Sequence, residues 1–165
     1  MEYLDFVDDR NRIIGRAPRK EVYARTLPHR IVHVMVFNGH GDLALQLRTR
    51  DRSFAPHHWC TSAGGHVASG ETSKQAIQRE MMEEIGVDIP LRVRYEDTYQ
   101  DTLRGNIKKF LTTFEATCDG PFQINPKEVE RIAFFSLEKI QNMVSSGEKI
   151  HPELLFLLRK HYGIR

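Results

Sequence analysis

The sequence predicts an α/β protein in which a mixed β-sheet is sandwiched between α-helices. Three observations carry this prediction. Short β-branched or apolar segments bounded by turn residues recur along the chain. One long segment, between Thr72 and Gly86, has the periodicity and the end signals of a helix, and two further helical segments close the chain. Many strands, one central helix and terminal helices fit a sheet covered on both faces.

The strands before residue 70 follow from turn residues and apolar runs. Segments 3–7 and 12–16 flank the turn at 8–11 and predict an opening hairpin. Segment 31–37 reads Ile-Val-His-Val-Met-Val-Phe and predicts a central strand, which is expected to pair with 43–47 through a glycine-containing turn. Segment 59–63 predicts a short strand that enters a glycine-rich loop at 64–70.

The later elements have clearer end signals. The central helix is expected to start at an N-cap formed by Thr72 or Ser73 and to end at Gly86. Segments 91–100 and 107–117 predict a strand pair, and in the first of these strands Leu91, Val93 and Tyr95 should be the buried residues. Three more segments are a short strand at 133–135, a helix at 137–144 that Ser136 caps, and a closing helix that begins near Pro152.

Length and composition set limits on function. We interpret the 165 residues as one domain, residues 1–165, with 40% hydrophobic and 28% charged residues. Lys and Arg exceed Asp and Glu by 24 − 22 = 2, which gives no reason to expect a nucleic-acid or membrane partner. Two distant cysteines, an acidic N-terminus and the lack of a long apolar run lead us to expect a cytoplasmic protein.

The central helix places carboxylates beside its buried face. With Ile77 set at 0°, Met81 falls near ~40° and Ile85 near ~80° at about 100° per residue, which defines the buried stripe. On the same scale Glu84 falls near about −20°, Glu80 near about −60° and Glu83 near about −120°. These three glutamates therefore stand beside the buried stripe.

Such a cluster has two interpretations. A solvated acidic face is the simpler one, but like charges at this spacing repel each other and lose hydration at a burial boundary. A bound cation removes both penalties, and all-oxygen ligands suit Mg²⁺ or Mn²⁺. The loop before the helix strengthens this second interpretation, because Gly64 and Gly65 let the backbone approach a ligand closely and Gly70 permits a tight turn.

The same residues carry a family resemblance. The chain matches the Nudix box, G-x5-E-x7-R-E-U-x-E-E-x-G-U with U a bulky apolar residue, at every specified position of 65–87; the matching residues are Gly65, Glu71, Arg79, Glu80, Met81, Glu83, Glu84, Gly86 and Val87. Segments outside the box resemble the branch that contains isopentenyl-diphosphate isomerase. The resemblance implies a Nudix fold and a hydrolase that cleaves a diphosphate linkage in a nucleoside diphosphate derivative or a similar small molecule.

The resemblance also implies roles. Glu80 and Glu84 should be direct metal ligands, Glu83 a ligand or a water-orienting carboxylate, and the carbonyl of Gly65 a further ligand. Glu71 and Arg79 should form an ion pair that positions the loop on the helix. Mg²⁺, or alternatively Mn²⁺, is the implied cofactor. Nudix proteins often form dimers, so the resemblance leaves a homodimer open.

Several carboxylates are candidates for the general base. Glu83 and Glu128 are the catalytic candidates, and Glu130 is a weaker one; Glu128 could equally be a solvated loop residue. Arg48 is a weak candidate for contacting substrate phosphate, because the stretch that also holds Arg50 and Arg52 is more simply read as a solvated loop.

Two other functions compete with the hydrolase. The isomerases that the chain resembles use a cysteine where this sequence has Gly64 and an acid that aligns with Lys109, so both of their proton-transfer groups are missing. Cys60 is no obvious substitute. His29 and His66 match isomerase metal positions, although histidines near strands are more often structural. A module that only binds a nucleotide is the second competitor, but such a module would be expected to lose a box carboxylate, and none is lost.

Overall fold

The computed structural model describes residues 1–165 and contains nine strands and four helices. In chain order the elements are β1 (Tyr3–Val7), β2 (Ile13–Pro18), α1 (Arg19–Ala24), β3 (His29–Phe37), β4 (Leu43–Arg48), β5 (Trp59–Cys60), β6 (Ala63–His66), α2 (Ser73–Ile85), β7 (Arg92–Asp101), β8 (Ile107–Thr117), β9 (Val129–Phe135), α3 (Leu137–Ser145) and α4 (Pro152–His161). None of the helices is both long and apolar enough to span a membrane.

Strand β3 is the centre of the sheet. It pairs in parallel with β8, from His29 opposite Lys109 to Phe37 opposite Thr117, and antiparallel with β6. Strand β4 pairs instead with β9 and β5. The predicted pairing of β3 with β4 is therefore wrong for most of its length, because the two strands meet only at Phe37 and Leu43. Beyond the turn that joins them, β3 and β4 separate, and β3 pairs mainly with β6 and β8 while β4 pairs mainly with β5 and β9.

Alternate residues of β3 pack on opposite helices. Val32, Val34 and Val36 belong to a cluster that contains the apolar face of α2. Ile31 and Met35 belong to a second cluster that contains the apolar residues of α3 and α4. Side chains of a strand alternate between the two faces of a sheet, so α2 covers one face and α3 and α4 cover the other. The predicted mixed sheet sandwiched between helices is confirmed.

Several local predictions need correction. Helix α1 was not predicted, because it has only six residues and buries a single one, Val22. The strand predicted at 59–63 is divided into β5 and β6, and β6 continues through two glycines that were expected to lie in a loop. Val93 is 56% exposed instead of buried, because a register shift between Val93 and Tyr95 breaks the alternation of β7.

Candidate active site

Helix α2 is held at both ends by its own sequence. The Thr72 side chain accepts a hydrogen bond from the Gln75 amide at 3.1 Å, and the Gln75 side chain accepts one from the Thr72 amide at 2.9 Å. This reciprocal cap satisfies amides that the first turn would otherwise leave unpaired. At the other end Gly86 has a φ of 69°, and its amide bonds to the carbonyl of Met81. The helix thereby keeps a fixed orientation over the sheet.

Glu84 is the buried carboxylate of this helix. It is only 5% exposed, and its Oε1 accepts hydrogen bonds from the Gly64 amide at 3.0 Å and from Gln46 Nε2 at 3.2 Å. Burial, together with the neighbouring charge of Glu80, raises the pKa of Glu84 to about 8. An ionised Glu84 therefore lacks a positive partner within the protein.

Glu80 lies against the glycine strand. A Cβ atom at Gly65 would collide with the Glu80 carboxylate, so glycine is what allows β6 and α2 to come this close. Burial raises the pKa of Glu80 to about 7, although the Arg79 guanidinium, 2.8 Å from Oε1, opposes that rise. The charges of Glu83 and Glu128 raise the pKa as well. Carboxylates from the helix and from the loop before β9 therefore face one another.

Arg79 joins the loop to the helix. Its Nε and Nη2 donate to the two oxygens of Glu71 at 2.8 and 2.9 Å, and Nη2 also donates to the His66 carbonyl at 3.1 Å. The Ala68 amide donates to the same carboxylate at 2.8 Å. The hydrogen bond from Arg79 lowers the pKa of Glu71. This bidentate pair therefore fixes the loop between β6 and α2.

The three candidate bases have different surroundings. Oε2 of Glu128 is buried without a hydrogen-bond partner, and the residue lines the same cavity as Glu80. Glu83 also lines that cavity, but its side chain is 49% exposed and lies 3.4 Å from Arg79. Glu130 accepts from His57 at 2.9 Å and does not line the cavity. The structure thus brings Glu83 and Glu128 to the site and leaves Glu130 outside it.

The cavity has a volume of about 520 Å³, which is within the range of ligand sites. Glu80, Glu83, Glu84 and Glu128 line one part of it, the acidic end, and the buried residues His33, Lys109, His151 and Glu153 line another, the inner end. The lining also includes the basic residues Arg19, Arg48, Arg52, Arg104 and Lys127. Arg48 donates to the carbonyls of Phe54 and Ala55 at 2.9 and 3.1 Å. These two bonds tie the side chain to the loop at 54–55, and Nη1 makes no hydrogen bond within the protein.

The inner end of the cavity contains a buried charge network. Lys109 Nζ lies 3.0 Å from Asp101 Oδ2 and 3.1 Å from Glu153 Oε2. Glu153 Oε1 accepts a hydrogen bond from His33 Nε2 at 2.8 Å. Burial by itself would raise the pKa of Glu153, but the hydrogen bond from His33 and the charge of Lys109 hold it well below its usual range. Glu153 is therefore an ionised, fully buried carboxylate.

His29 and His66 lie side by side next to Tyr23. Their rings stack with centroids 5.5 Å apart, and Tyr23 Oη lies 2.7 Å from His66 Nε2. His29 Nδ1 donates to the Leu27 carbonyl at 2.8 Å. Burial, together with the positive charge of Lys109, lowers the pKa of His29 to about 4. A lysine cation beside two stacked rings makes a poor environment for a second cation.

The sequence did not predict most of the network at the inner end. Lys109 interrupts an inward-facing row of apolar residues in β8, and His33 does the same in β3. A charged or polar side chain at such a position predicts a buried partner. His151-Pro152-Glu153 also has the form of a helix start, with His151 as the N-cap. Each of these residues could have been recognised as unusual from the sequence. Their partners could not, because the interacting residues lie far apart in the chain.

The acidic end fits a divalent cation. The structure gathers no three His, Cys, Asp or Glu side chains into a closed cage, because Glu80 and Glu83 turn toward Arg79 and Glu84 toward Gly64. The available donors are nevertheless carboxylate oxygens with raised pKa values and one buried, unpartnered oxygen, Oε2 of Glu128. Oxygen donors of this kind match the preference of Mg²⁺ or Mn²⁺.

The mixed sheet and its acidic site fit metal-assisted hydrolysis of phosphorus-containing acid anhydrides, and the similar proteins belong to that class. Residues 27–157 match the NUDIX domain. An uncharacterized Nudix hydrolase of Listeria innocua is 33% identical over 152 residues, which cover 91% of this chain and 89% of that protein. The uncharacterized Nudix hydrolase YfcD of Escherichia coli is 29% identical over 140 residues, covering 84% and 76%.

A solved structure has the same fold. The crystal structure of DR0079 from Deinococcus radiodurans superposes with a TM-score of 0.86 at 28% identity, and the match covers 98% of this chain and 99% of that one. The chain belongs to the Nudix family of hydrolases. Members of this family generally need divalent metal ions and act on small molecules.

Proposed function

We propose that the chain is a Mg²⁺-dependent hydrolase that cleaves the diphosphate linkage of a nucleoside diphosphate derivative or a similar small molecule. One observation carries the proposal most directly. The buried Oε2 of Glu128 has no partner and lines the same cavity as Glu80 and Glu84, whose pKa values burial raises to about 7 and about 8. Ionised carboxylates gathered at a buried site are unfavourable, and a bound divalent cation removes that penalty.

Glu80 and Glu84 would hold the metal, with Glu83 and the Gly65 carbonyl as further candidate ligands. A bound Mg²⁺ would neutralise the diphosphate and favour attack by water on phosphorus. Mn²⁺ binds the same kind of oxygen ligands. The Glu71–Arg79 pair contributes by holding the loop that carries Gly65 against the helix. Its role is therefore positional, and it need not contact the substrate.

Glu128 is the favoured proton acceptor for the attacking water. A general base must reach the water and be free to accept a proton, and the unpartnered Oε2 of Glu128 meets both requirements inside the cavity. Glu83 is the second candidate, but its 3.4 Å contact with Arg79 and its exposure suit it better to orienting a water or a ligand. Glu83→Gln and Glu128→Gln, compared by their pH–rate profiles, separate these two roles.

The two competing functions have less support. Isomerisation needs a proton donor and a proton acceptor on a carbon skeleton, but the corresponding positions here hold Gly64 and Lys109. A Cβ at position 64 would also lie 2.7 Å from His33 Nδ1, so this space is already filled. A module that only binds would not require the full acidic set of Glu80, Glu83 and Glu84. A homodimer stays a prediction of the resemblance.

The test is a substrate panel. Purified protein with Mg²⁺ is incubated with nucleoside triphosphates, nucleotide sugars, coenzymes and dinucleotides in ¹⁸O-labelled water, and phosphorylated products are identified by mass spectrometry. We expect at least one compound to be cleaved, with the label in one phosphate product, and we expect chelation of the metal to stop cleavage. Glu96→Gln, an exposed change on β7, is the matched control for Glu84→Gln. Metal-independent cleavage, or no cleavage across the panel, would contradict the proposal.

A further inference from the structure

We infer that the inner end of the cavity, formed by His151 and Glu153 and supported by Lys109 and His33, is a subsite that recognises hydroxyl groups on the carbon skeleton next to the diphosphate. This inference rests on the proposed function, because the diphosphate is placed at the acidic end. Both ends belong to one cavity of about 520 Å³. A ligand held by its phosphates at α2 would therefore extend toward the start of α4.

His151 supplies an unpaired donor at this end. The residue is 6% exposed and lines the cavity, and its Nδ1 accepts a hydrogen bond of 3.1 Å from the Glu153 amide. An imidazole that accepts at Nδ1 carries its proton on Nε2. Nε2 has no hydrogen-bond partner in the protein. The Phe54 ring packs edge-on against the imidazole, with centroids 5.6 Å apart, and restricts its orientation.

Glu153 supplies the matching acceptor. Its two oxygens each accept one hydrogen bond, from His33 at 2.8 Å and from Lys109 at 3.1 Å, and each oxygen can accept a second. Lys109 in turn contacts Asp101, so the carboxylate is ionised and its position is fixed. A hydroxyl group both accepts and donates, and it can therefore bridge an imidazole N–H and a carboxylate that lie two residues apart in the chain.

The same surface opposes a hydrocarbon. An isoprenoid chain at this end would cover an ionised carboxylate and an imidazole N–H without offering either a hydrogen bond, which is unfavourable. Sites built to bind a hydroxyl reject analogues that lack it much more strongly than apolar pockets reject an extra methylene. The geometry therefore favours a pentose or a hexose over an alkyl or prenyl group at this position.

The experiment measures binding and so does not depend on turnover. Calorimetry with Mg²⁺ compares α,β-methylene-ADP with its 2′,3′-dideoxy analogue, and glucose 1-methylenediphosphonate with the cyclohexyl compound. We expect the hydroxylated member of at least one pair to bind roughly tenfold more tightly or better. Which pair shows the difference identifies a pentose or a hexose. Methylenediphosphonate alone tests the acidic end, and thus the proposed function, separately.

His151→Asn is the variant of choice, because asparagine is a favourable N-cap and should keep α4 folded while the Nε2–H donor is removed. In this variant we expect the difference within the discriminating pair to fall to about threefold or less, with methylenediphosphonate binding unchanged. His40→Asn, in the exposed turn between β3 and β4, is the matched control. Equal affinities within both pairs of the wild-type protein, or discrimination that survives His151→Asn, would overturn the inference.

Discussion

The backbone amide of Gly64 donates a hydrogen bond of 3.0 Å to Oε1 of Glu84. On its other side the same residue faces His33, since a Cβ at position 64 would lie 2.7 Å from His33 Nδ1. One residue of β6 therefore contacts both the acidic end of the cavity and the buried network at its inner end. Substitutions on the two sides of this strand should have separable effects.

Glu84→Gln tests the metal assignment. The change keeps the size and helix propensity of the side chain but removes the negative charge that this buried residue can carry. We expect Mg²⁺-dependent hydrolysis to fall by about 100-fold or more, because a direct ligand is lost. The metal-free protein should melt at the same or a higher temperature, since repulsion from Glu80 is relieved. Full activity in this variant would remove Glu84 from the ligand set.

The pH dependence of stability tests the raised pKa of Glu84. An unfolded glutamate releases its proton near 4.5, but the folded residue retains it up to about 8. The metal-free fold is therefore penalised progressively as pH rises from about 4.5 through about 8. Glu84→Gln should show little advantage over the wild type at pH 5 and its full advantage above pH 8, on the order of 10 °C in Tm.

Calorimetric melts of both proteins in chelator, at matched ionic strength, measure this difference directly. Comparing the two proteins cancels the shared contribution of the buried histidines His29 and His151, whose lowered pKa values act at acidic pH. Because metal binding requires the ionised carboxylate, Mg²⁺ should also displace protons near pH 7. A stability difference that is constant from pH 5 to pH 9 would contradict the raised pKa.

Arg79→Ala tests the positioning pair. Loss of the bidentate contact to Glu71 and of the bond to the His66 carbonyl should destabilise the fold by about 2 kcal/mol, with or without metal. Activity should fall by about 100-fold through misplacement of the loop that carries Gly65. Arg79→Lys cannot form both bonds to the carboxylate, so its stability and its activity should lie between those of the wild type and those of Arg79→Ala. Unchanged melting with abolished activity would instead mean that Arg79 contacts the substrate.

The acidic end could be anticipated because its signals are local. The spacing of Glu80, Glu83 and Glu84 on one helix fixes their relative directions, and Thr72 and Gly86 mark the helix ends in the sequence itself. Periodicity likewise placed the buried stripe of α2. What could not be anticipated is which strand faces which helix, since β3 and β4 diverge after their shared turn.

The buried network at the inner end could not be predicted in the same way. Glu153 is 44 residues from Lys109 and 120 residues from His33 in the chain, although it is hydrogen-bonded to both. No local sequence pattern specifies that these residues meet. Each is visible only as a polar residue at an inward-facing or capping position. Their association depends on the parallel pairing of β3 with β8 and on the docking of α4, which are both long-range features.

The last prediction separates hydrolysis from isomerisation. Isomerisation of a prenyl diphosphate requires a proton donor and a proton acceptor on the two sides of a carbon skeleton. Gly64 has no titratable group, and the charge of Glu153 raises the pKa of Lys109 above its usual value although burial alone would lower it. Lys109 is thus a cation that cannot accept a proton near neutral pH. Cys60 is also unsuited, because burial raises the pKa of its thiol.

Isopentenyl diphosphate incubated with the protein and Mg²⁺ in heavy water should therefore yield no allylic isomer and no carbon-bound deuterium, as judged by NMR and mass spectrometry. Gly64→Cys should not create the activity, because the new side chain would run into His33 Nδ1, and it should lower the melting temperature instead. Gly39→Cys, at a turn glycine without a positive φ whose added Cβ would lie at an ordinary 3.5 Å from Asp119 Oδ1, controls for a glycine-to-cysteine change without a collision. Deuterium in the prenyl chain of the wild-type product would mean that another acid–base pair reaches the cavity, and the hydrolase proposal would then be incomplete.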